Sequence, residues 1–199
     1  MKNFAQMAKS FVLSSAVIFT SCATPPKAAV NKGNISPGSS VTLAGTPTKL
    51  HPGSLKVGDD FLEIIRESNL GLNLQKKVTI VNVVPSIDTA VCEEQTHILG
   101  EDPTIAAHVQ RVTISRDLPM AQKRFASAAK LENITYASDY KTGEFGKRTG
   151  LLMEGKYLLA RGVIVLNKEG KVHYMQFVPE VTNLPDMKRA IEVANSLAP

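Results

Sequence analysis

A run of seven residues at positions 78–84, VTIVNVV, limits the folds of this chain more than any other feature. All but one of these residues are β-branched, and β-branched side chains favour strands. Because the apolar residues do not alternate with polar ones, the run indicates a strand that is buried on both faces. Pro85 follows and cannot donate to a sheet. The sequence therefore predicts a central strand that ends at Pro85.

The patterns on both sides of this strand predict further strands in alternation with helices. The predicted helices cover residues 92–99, 118–131 and 186–197. The other predicted strands cover residues 110–115, 162–166 and 171–178, the last two forming a hairpin. Residues 40–44, with the glycine and proline after them, predict a short N-terminal hairpin. This order predicts an α/β sandwich of the thioredoxin type with an N-terminal β-hairpin.

The first 22 residues have the character of an export segment. Lys2 and Lys9 supply positive charge, residues 11–20 are apolar, and Cys22 closes the segment. The apolar stretch is too short to span a bilayer stably, because a spanning helix needs about 20 apolar residues. We therefore expect a targeting signal rather than a transmembrane helix.

The residues before Cys22 resemble a bacterial lipoprotein signal, with Phe19 where leucine is usual. This resemblance implies that residues 1–21 are a signal peptide and that Cys22 is lipidated. The protein would then lie in the cell envelope, in the periplasm, anchored to the membrane by lipid alone. Ordinary cleavage after Ala23 and a buried N-terminal helix are the alternatives.

The rest of the chain divides into a tether and one domain. Residues 22–40 contain proline and glycine but few large apolar side chains, which predicts a flexible tether. Residues 41–199, about 160 residues, are enough for a single core. The net charge of +5 falls to +3 without Lys2 and Lys9, too little to indicate a nucleic-acid partner. Two cysteines cannot form a disulfide scaffold, and four scattered histidines lack metal-ligand spacing.

The candidate chemistry lies directly after the central strand, at Cys92. Asp88 or Thr89 can cap the next helix, which places Cys92 in the first turn, where backbone N–H groups lack partners. The partial positive charge of a helix start stabilises a thiolate. Glu93 and Glu94 oppose it by like charge. A further cation is therefore needed from elsewhere in the chain.

Arg161 is the candidate cation, because it stands where an apolar strand begins and packing alone explains a charge there poorly. The alternative is a strand-end arginine that reaches solvent, since arginine is rarely buried fully. Thr89, three residues before Cys92, can direct its hydroxyl toward the sulfur or only cap the helix. Pro85 can shield the pocket or only end the strand.

Four segments carry a resemblance to one family. Residues 85–92, PSIDTAVC, resemble the active-site segment of the bacterial thiol peroxidases, a branch of the peroxiredoxins. Residues 117–125 resemble the segment that precedes the second redox cysteine, and residues 159–165 resemble the segment with the active-site arginine. Residues 180–186 follow as in that branch. The similarity covers residues 41–197, and the four segments in order are specific for the branch.

The resemblance implies a mechanism and a set of site residues. Cys92 would be the peroxidatic nucleophile that attacks the O–O bond of a hydroperoxide and becomes a sulfenic acid. Thr89 would bind the thiolate and the peroxide, Arg161 would stabilise the developing charge, and Pro85 would limit the access of water. The resemblance also implies hydrogen peroxide and alkyl hydroperoxides as substrates, antioxidant defence, a homodimer, and no metal or organic cofactor.

The chain departs from this branch at Ala126, which stands where a resolving cysteine would be expected. An internal disulfide with that helix cannot form. If Cys22 is lipidated, Cys92 is the only thiol, and the enzyme works in a one-cysteine mode. An external reductant, either a thioredoxin-like protein or a low-molecular-weight thiol, must then regenerate it. Arg116 is a milder departure, because the branch usually has a small residue there.

Two other functions compete with the peroxidase. The first is a membrane-tethered thioredoxin-fold redox sensor or binding protein without turnover. The second is an acyl-transfer enzyme that pairs Cys92 with His97, five residues further on. The presence of Pro85, Thr89, Cys92 and Arg161 together favours the peroxidase, because a binding module has no physical need for all four.

Overall fold

A computed structural model of the protein describes residues 27–74 and 76–197. The predicted export segment and Cys22 lie outside these residues. The helices are α1 Phe61–Glu67, α2 Ala90–Glu101, α3 Pro119–Ala129, α4 Glu144–Thr149 and α5 Met187–Leu197. The strands are β1 Ser40–Leu43, β2 Thr46–Lys49, β3 Thr79–Val83, β4 Gln110–Ser115, β5 Thr135–Ser138, β6 Gly162–Leu166 and β7 Val172–Phe177.

Five strands form the main sheet, in the order β5-β4-β3-β6-β7. The central strand β3 pairs in parallel with β4 and antiparallel with β6. All five residues of β3 are buried, which confirms the predicted central strand. Strands β6 and β7 form the predicted hairpin, and β1 pairs with β2 in the predicted N-terminal hairpin. The α/β sandwich with an N-terminal hairpin is therefore confirmed.

Successive residues of β3 point to opposite faces of the sheet and so enter two different cores. Val81 belongs to the core that includes Phe61 of α1 and Phe145 of α4. Ile80 belongs to the core that includes Leu99 of α2 and Ile191 of α5. Helices therefore cover both faces of the sheet, and α2, which carries Cys92, packs on the second face.

Three elements were not predicted from the sequence: α1, α4 and β5. The two helices have only seven and six residues, too few to display a helical period clearly. The start of α1 is fixed instead by Asp60, whose side chain accepts hydrogen bonds from the backbone N–H groups of Leu62 and Glu63. Short helices of this kind depend on such caps and on tertiary packing.

The described part of the predicted tether, residues 27–40, is bonded to the domain. Ala28 donates its N–H to the Glu94 carboxylate at 2.9 Å, and Asn31 donates to the Leu184 carbonyl at 2.8 Å. This part differs from a freely moving linker because backbone hydrogen bonds hold it, and composition does not reveal such bonds. The division of the chain at residues 21 and 40 stays a prediction. No helix in the described part of the chain has the length and apolar character needed to cross a bilayer.

Candidate active site

Cys92 lies in the first turn of α2, close to the end of the central strand, as predicted. The helix begins at Ala90, two residues earlier than the sequence pattern indicated. The side chain of Cys92 is fully buried and packs with Val84 and Ile87. The sulfur is therefore held beneath the surface at a helix start, where backbone N–H groups favour negative charge.

Arg161 supplies the cation that the sequence argument requires. Its side chain is only 3% exposed, so the alternative in which it reaches solvent is wrong. Its Nη2 donates to the Cys92 Sγ at 3.1 Å, and its Nε donates to the Val181 carbonyl at 2.6 Å. A buried guanidinium that donates to the sulfur stabilises the thiolate form.

Thr89 occupies the N-cap position of α2, but its side chain makes no capping hydrogen bond. Its hydroxyl lies 3.0 Å from the Cys92 Sγ and 3.2 Å from the Ser86 carbonyl oxygen. Of the two predicted caps, Asp88 and Thr89, Thr89 is therefore the N-cap residue, although its side chain supplies no capping hydrogen bond. The hydroxyl is turned toward the sulfur, the other orientation that the sequence allowed.

Pro85 is buried and lies two residues after the end of β3, with Val84 between them. The loop after it is fixed by Asp117, whose carboxylate accepts the Ser86 hydroxyl at 2.6 Å and the Ile87 N–H at 2.8 Å. These bonds hold the loop that carries Thr89 against the end of β4. A shielding role of Pro85 stays a prediction, and the loop's fixed path supports it.

Gln95 is a site residue that the sequence analysis missed. It is fully buried, and its Oε1 accepts a hydrogen bond from Arg161 Nη1 at 2.8 Å. Its Nε2 donates to the Gly162 carbonyl at 3.0 Å. The available signal was its position three residues after Cys92, because residues at that spacing share one face of a helix.

Glu180 lies in the segment that follows β7, next to Val181, whose carbonyl accepts the hydrogen bond from Arg161. Burial opposes its charge, but hydrogen bonds from the N–H groups of Thr182 and Gly45 and from the hydroxyls of Thr42 and Thr182 outweigh this effect. They lower the pKa of Glu180 to about 2. This carboxylate is therefore ionised at neutral pH.

Ala126, which stands where a resolving cysteine would be expected, lies on α3. Ala126 is 7% exposed on it, and the preceding Phe125 packs against the cluster that contains Cys92. The helix thus lies next to Cys92, and it carries a methyl group at the position where the family resemblance predicts a resolving cysteine. Arg116 donates from Nη2 to the Tyr140 carbonyl at 2.9 Å, on the side of β5.

A cavity of about 550 Å³ lies apart from this site. Residues at the end of α1, at the start of α3 and after β5 line it, and Cys92, Thr89 and Arg161 do not. His97 is also apart from the chemistry, because its Nδ1 lies 2.9 Å from the Glu101 carboxylate on the outer side of α2. This geometry contradicts the acyl-transfer alternative, which needs His97 at the sulfur.

Comparison with known proteins supports one family. The Redoxin family model matches residues 65–191. A thiol peroxidase of Halalkalibacterium halodurans is 41% identical over 79% of this chain and 98% of its own, and one of Bacillus subtilis is 39% identical over 79% and 97%. The crystal structure of a peroxiredoxin-like protein from Aquifex aeolicus matches 81% of this chain and 99% of its own, with a TM-score of 0.69 and 34% identity. The chain therefore belongs to the thiol peroxidase branch of the peroxiredoxin family.

Proposed function

We propose that this thiol-dependent peroxidase reduces hydroperoxides at Cys92 and works in a one-cysteine mode. The observation that carries the proposal is the convergence of two donors on one buried sulfur. Thr89 and Arg161 both direct a donor at Cys92 Sγ, at 3.0 and 3.1 Å. Two donors at one sulfur are suited to holding a thiolate and then the oxygens of a peroxide.

In the first step the Cys92 thiolate attacks the terminal oxygen of the hydroperoxide. The S–O bond forms as the O–O bond breaks, so the sulfur is oxidised to a sulfenic acid and the peroxide is reduced. The leaving alkoxide or hydroxide takes up a proton and departs as an alcohol or water. Arg161 stabilises the charge on the leaving oxygen, and Thr89 orients the attacked oxygen. Pro85, which is buried, limits the access of water.

The second step needs a sulfur from outside the domain. Ala126 cannot attack the sulfenic acid, and Cys92 is the only cysteine in the part of the chain that the structure describes. A thiol reductant therefore attacks the sulfenic acid, which releases water and leaves a mixed disulfide. A second thiol then releases Cys92 and forms a disulfide with the first. The two electrons that reduce the peroxide thus come from two external thiol groups, of a thioredoxin-like protein or of small thiols.

A single-turnover experiment tests the assignment. The reduced protein is treated with one equivalent of hydrogen peroxide and then with a sulfenic-acid probe. The probe should label Cys92 in the wild type and leave Cys92→Ser unlabelled. Excess dithiol should then support many turnovers of peroxide consumption. A Cys92→Ser protein that consumes peroxide as fast as the wild type would refute the assignment, and a single turnover without regeneration would support the redox sensor instead.

We also propose that Cys22 is lipidated and that the enzyme acts in the cell envelope, on the periplasmic side, as a homodimer. The support for lipidation is the sequence pattern around Phe19 and Cys22. The proposed homodimer rests on the family resemblance alone. The mass of the mature protein extracted from membranes tests processing, with Cys22→Ser as the control. A mature chain that begins after Ala23 and carries no lipid would refute the anchor.

A further inference from the structure

The carboxylate of Glu180 is surrounded by hydrogen-bond donors. Its Oε1 accepts the Ala44 N–H at 3.0 Å, the Thr182 N–H at 2.9 Å and the Thr182 hydroxyl at 2.8 Å. Its Oε2 accepts the Thr42 hydroxyl at 2.7 Å and the Gly45 N–H at 2.9 Å. These bonds join the turn of the β1–β2 hairpin to the segment that follows β7. The carboxylate thus fixes two backbone segments that are far apart in sequence.

The segment held by Glu180 is also bonded to Arg161. The Val181 carbonyl accepts the Arg161 Nε–H at 2.6 Å, and the Val181 N–H donates to the Thr42 carbonyl at 2.8 Å. Three residues before Val181, Val178 donates its N–H to the Arg161 carbonyl at 3.1 Å. Val181 thus lies between the hairpin on one side and the guanidinium on the other. The Val181 carbonyl therefore orients Arg161 together with the Oε1 of Gln95.

We propose that Glu180 is a positioning residue for the peroxidase reaction, which sets the guanidinium of Arg161 over Cys92 through the Val181 carbonyl. The inference rests on the proposed function, because Arg161 acts there on the peroxide. Glu180 touches neither the sulfur nor the substrate. Its effect is transmitted through one backbone carbonyl and one guanidinium.

A carboxylate suits this position better than an amide does. All of the groups that Glu180 contacts through its two oxygens donate hydrogen bonds. A glutamine at this position would turn its NH₂ group toward at least one backbone N–H, and two donors cannot pair. The depressed pKa of Glu180 has the same physical origin, because the donors favour the ionised form. Glu180→Gln therefore loosens the segment while it keeps the side chain's size.

The test compares two reactions of Cys92 in the full chain. Oxidation by hydrogen peroxide needs Arg161 at the leaving oxygen, whereas alkylation by iodoacetamide develops no charge on oxygen. In Glu180→Gln we expect the rate constant for peroxide to fall about tenfold, because small displacements of a charge-stabilising group reduce rates strongly. The rate constant for alkylation should change less than about threefold, since the loosened guanidinium is not removed from the pocket.

A double-mutant cycle separates positioning from general destabilisation. If Glu180 acts through Arg161, then Glu180→Gln should have no further effect on peroxide oxidation in an Arg161→Ala background. A merely structural role would lower the rate by the same factor in both backgrounds. Equal factors in the two backgrounds would overturn the inference.

Thr48→Ala is the matched control, because Thr48 is buried in β2 of the same hairpin and does not contact Glu180. It should lower the melting temperature without a change in the ratio of the two rate constants.

Should Glu180→Gln fail to fold, Thr182→Val removes one hydroxyl donor from the carboxylate and should lower the peroxide rate about twofold to threefold. A folded Glu180→Gln or Thr182→Val protein that reacts with peroxide at the wild-type rate overturns this inference alone. A wild type that does not react with peroxide overturns the proposed function as well.

Discussion

The pocket around Cys92 and the face of α3 around Ala126 are neighbours, but they differ in how much of the family's chemistry they keep. At Cys92 the sulfur has two directed donors, and Gln95 holds the guanidinium from behind. At Ala126 the fold is intact but the sulfur is absent. Under the proposed mechanism, the reduction of peroxide and the regeneration of Cys92 would therefore depend on separate interactions. The contacts around Cys92 are complete without a sulfur at position 126.

The α3 face keeps its place without a disulfide because polar bonds and packing hold it. Gln122 donates from Nε2 to the Ser115 hydroxyl and to the Ala137 carbonyl, both at 2.9 Å. Phe125 packs on the cluster of Cys92 and lies edge-to-face with Tyr136. Neither interaction involves the position of the absent sulfur. The comparison thus predicts that changes in the Cys92 pocket alter the rate, whereas changes on the α3 face alter stability or the fate of the oxidised sulfur.

Removal of the guanidinium should have the largest effect. Arg161→Ala leaves the developing oxygen charge without its buried cation, and loss of one such donor costs about 10²–10³-fold in rate. Stopped-flow measurement of Cys92 oxidation by hydrogen peroxide gives the rate constant. Gln122→Leu on α3 is the control and should oxidise within about twofold of the wild type although it melts earlier. If Arg161→Ala and Gln122→Leu slowed oxidation equally, the Cys92 pocket and the α3 face would not differ in their effect on the rate.

The hydroxyl of Thr89 should contribute less. A hydrogen bond to a charged group is worth about 1.5–3 kcal/mol, so Thr89→Val should slow oxidation roughly 10- to 100-fold. Thr89→Ser keeps the hydroxyl and should recover most of the rate. The same stopped-flow assay measures both variants. If serine were as slow as valine, the packing of the threonine methyl and not its hydroxyl would matter.

A cysteine introduced into α3 should change how the sulfenic acid of Cys92 reacts further. Ala126→Cys places a thiol in the same chain, at an effective concentration of millimolar order. We expect an internal disulfide, seen as the loss of two hydrogens in the intact mass and as loss of labelling by a sulfenic-acid probe. With external thiol at about 1 mM, inactivation by excess peroxide should become a few-fold slower. Persistence of the sulfenic acid in this variant would mean that α3 cannot approach Cys92.

The smallest expected effect is on stability against acid. Because the pKa of Glu180 lies below its ordinary value, the ionised carboxylate stabilises the fold at neutral pH. This contribution is complete above the unfolded pKa near 4.5 and is lost as the pH falls through the folded value of about 2. The melting temperatures of wild type and Glu180→Gln should therefore differ most above pH 5 and converge toward pH 2. A difference that does not vary with pH would contradict the role of the charge.

The sequence predicted those parts of the fold that have strong local patterns. The run of β-branched residues in β3 and the polar turn between β6 and β7 are visible in the order of residues, and both are in the structure. Helices α1 and α4 were not predicted, because Asp60 and tertiary packing fix them more than periodicity does. The bonds of residues 27–40 to the domain are made mostly by backbone groups, which have no signal in composition.

The site was predictable where the chemistry itself restricts the choice of residue. A thiolate beside two glutamates needs a cation, and that requirement selected Arg161 before any coordinates. Gln95 and Glu180 were not identified, because their role depends on contacts with Arg161 and with the hairpin turn, 66 and 135 positions away in the chain. A local sequence pattern does not reveal contacts between residues that are so far apart in the chain.

The bond between Ala28 and Glu94 also has a consequence for where the enzyme can operate. Only six peptide steps separate Ala28 from Cys22, a contour of at most about 20 Å. With an acyl chain on Cys22, the helix that carries the reactive sulfur would stay within a thin layer of solvent along the bilayer. If the proposed anchor is present, peroxides that form in or diffuse out of that bilayer would encounter the enzyme before they reach the bulk solvent.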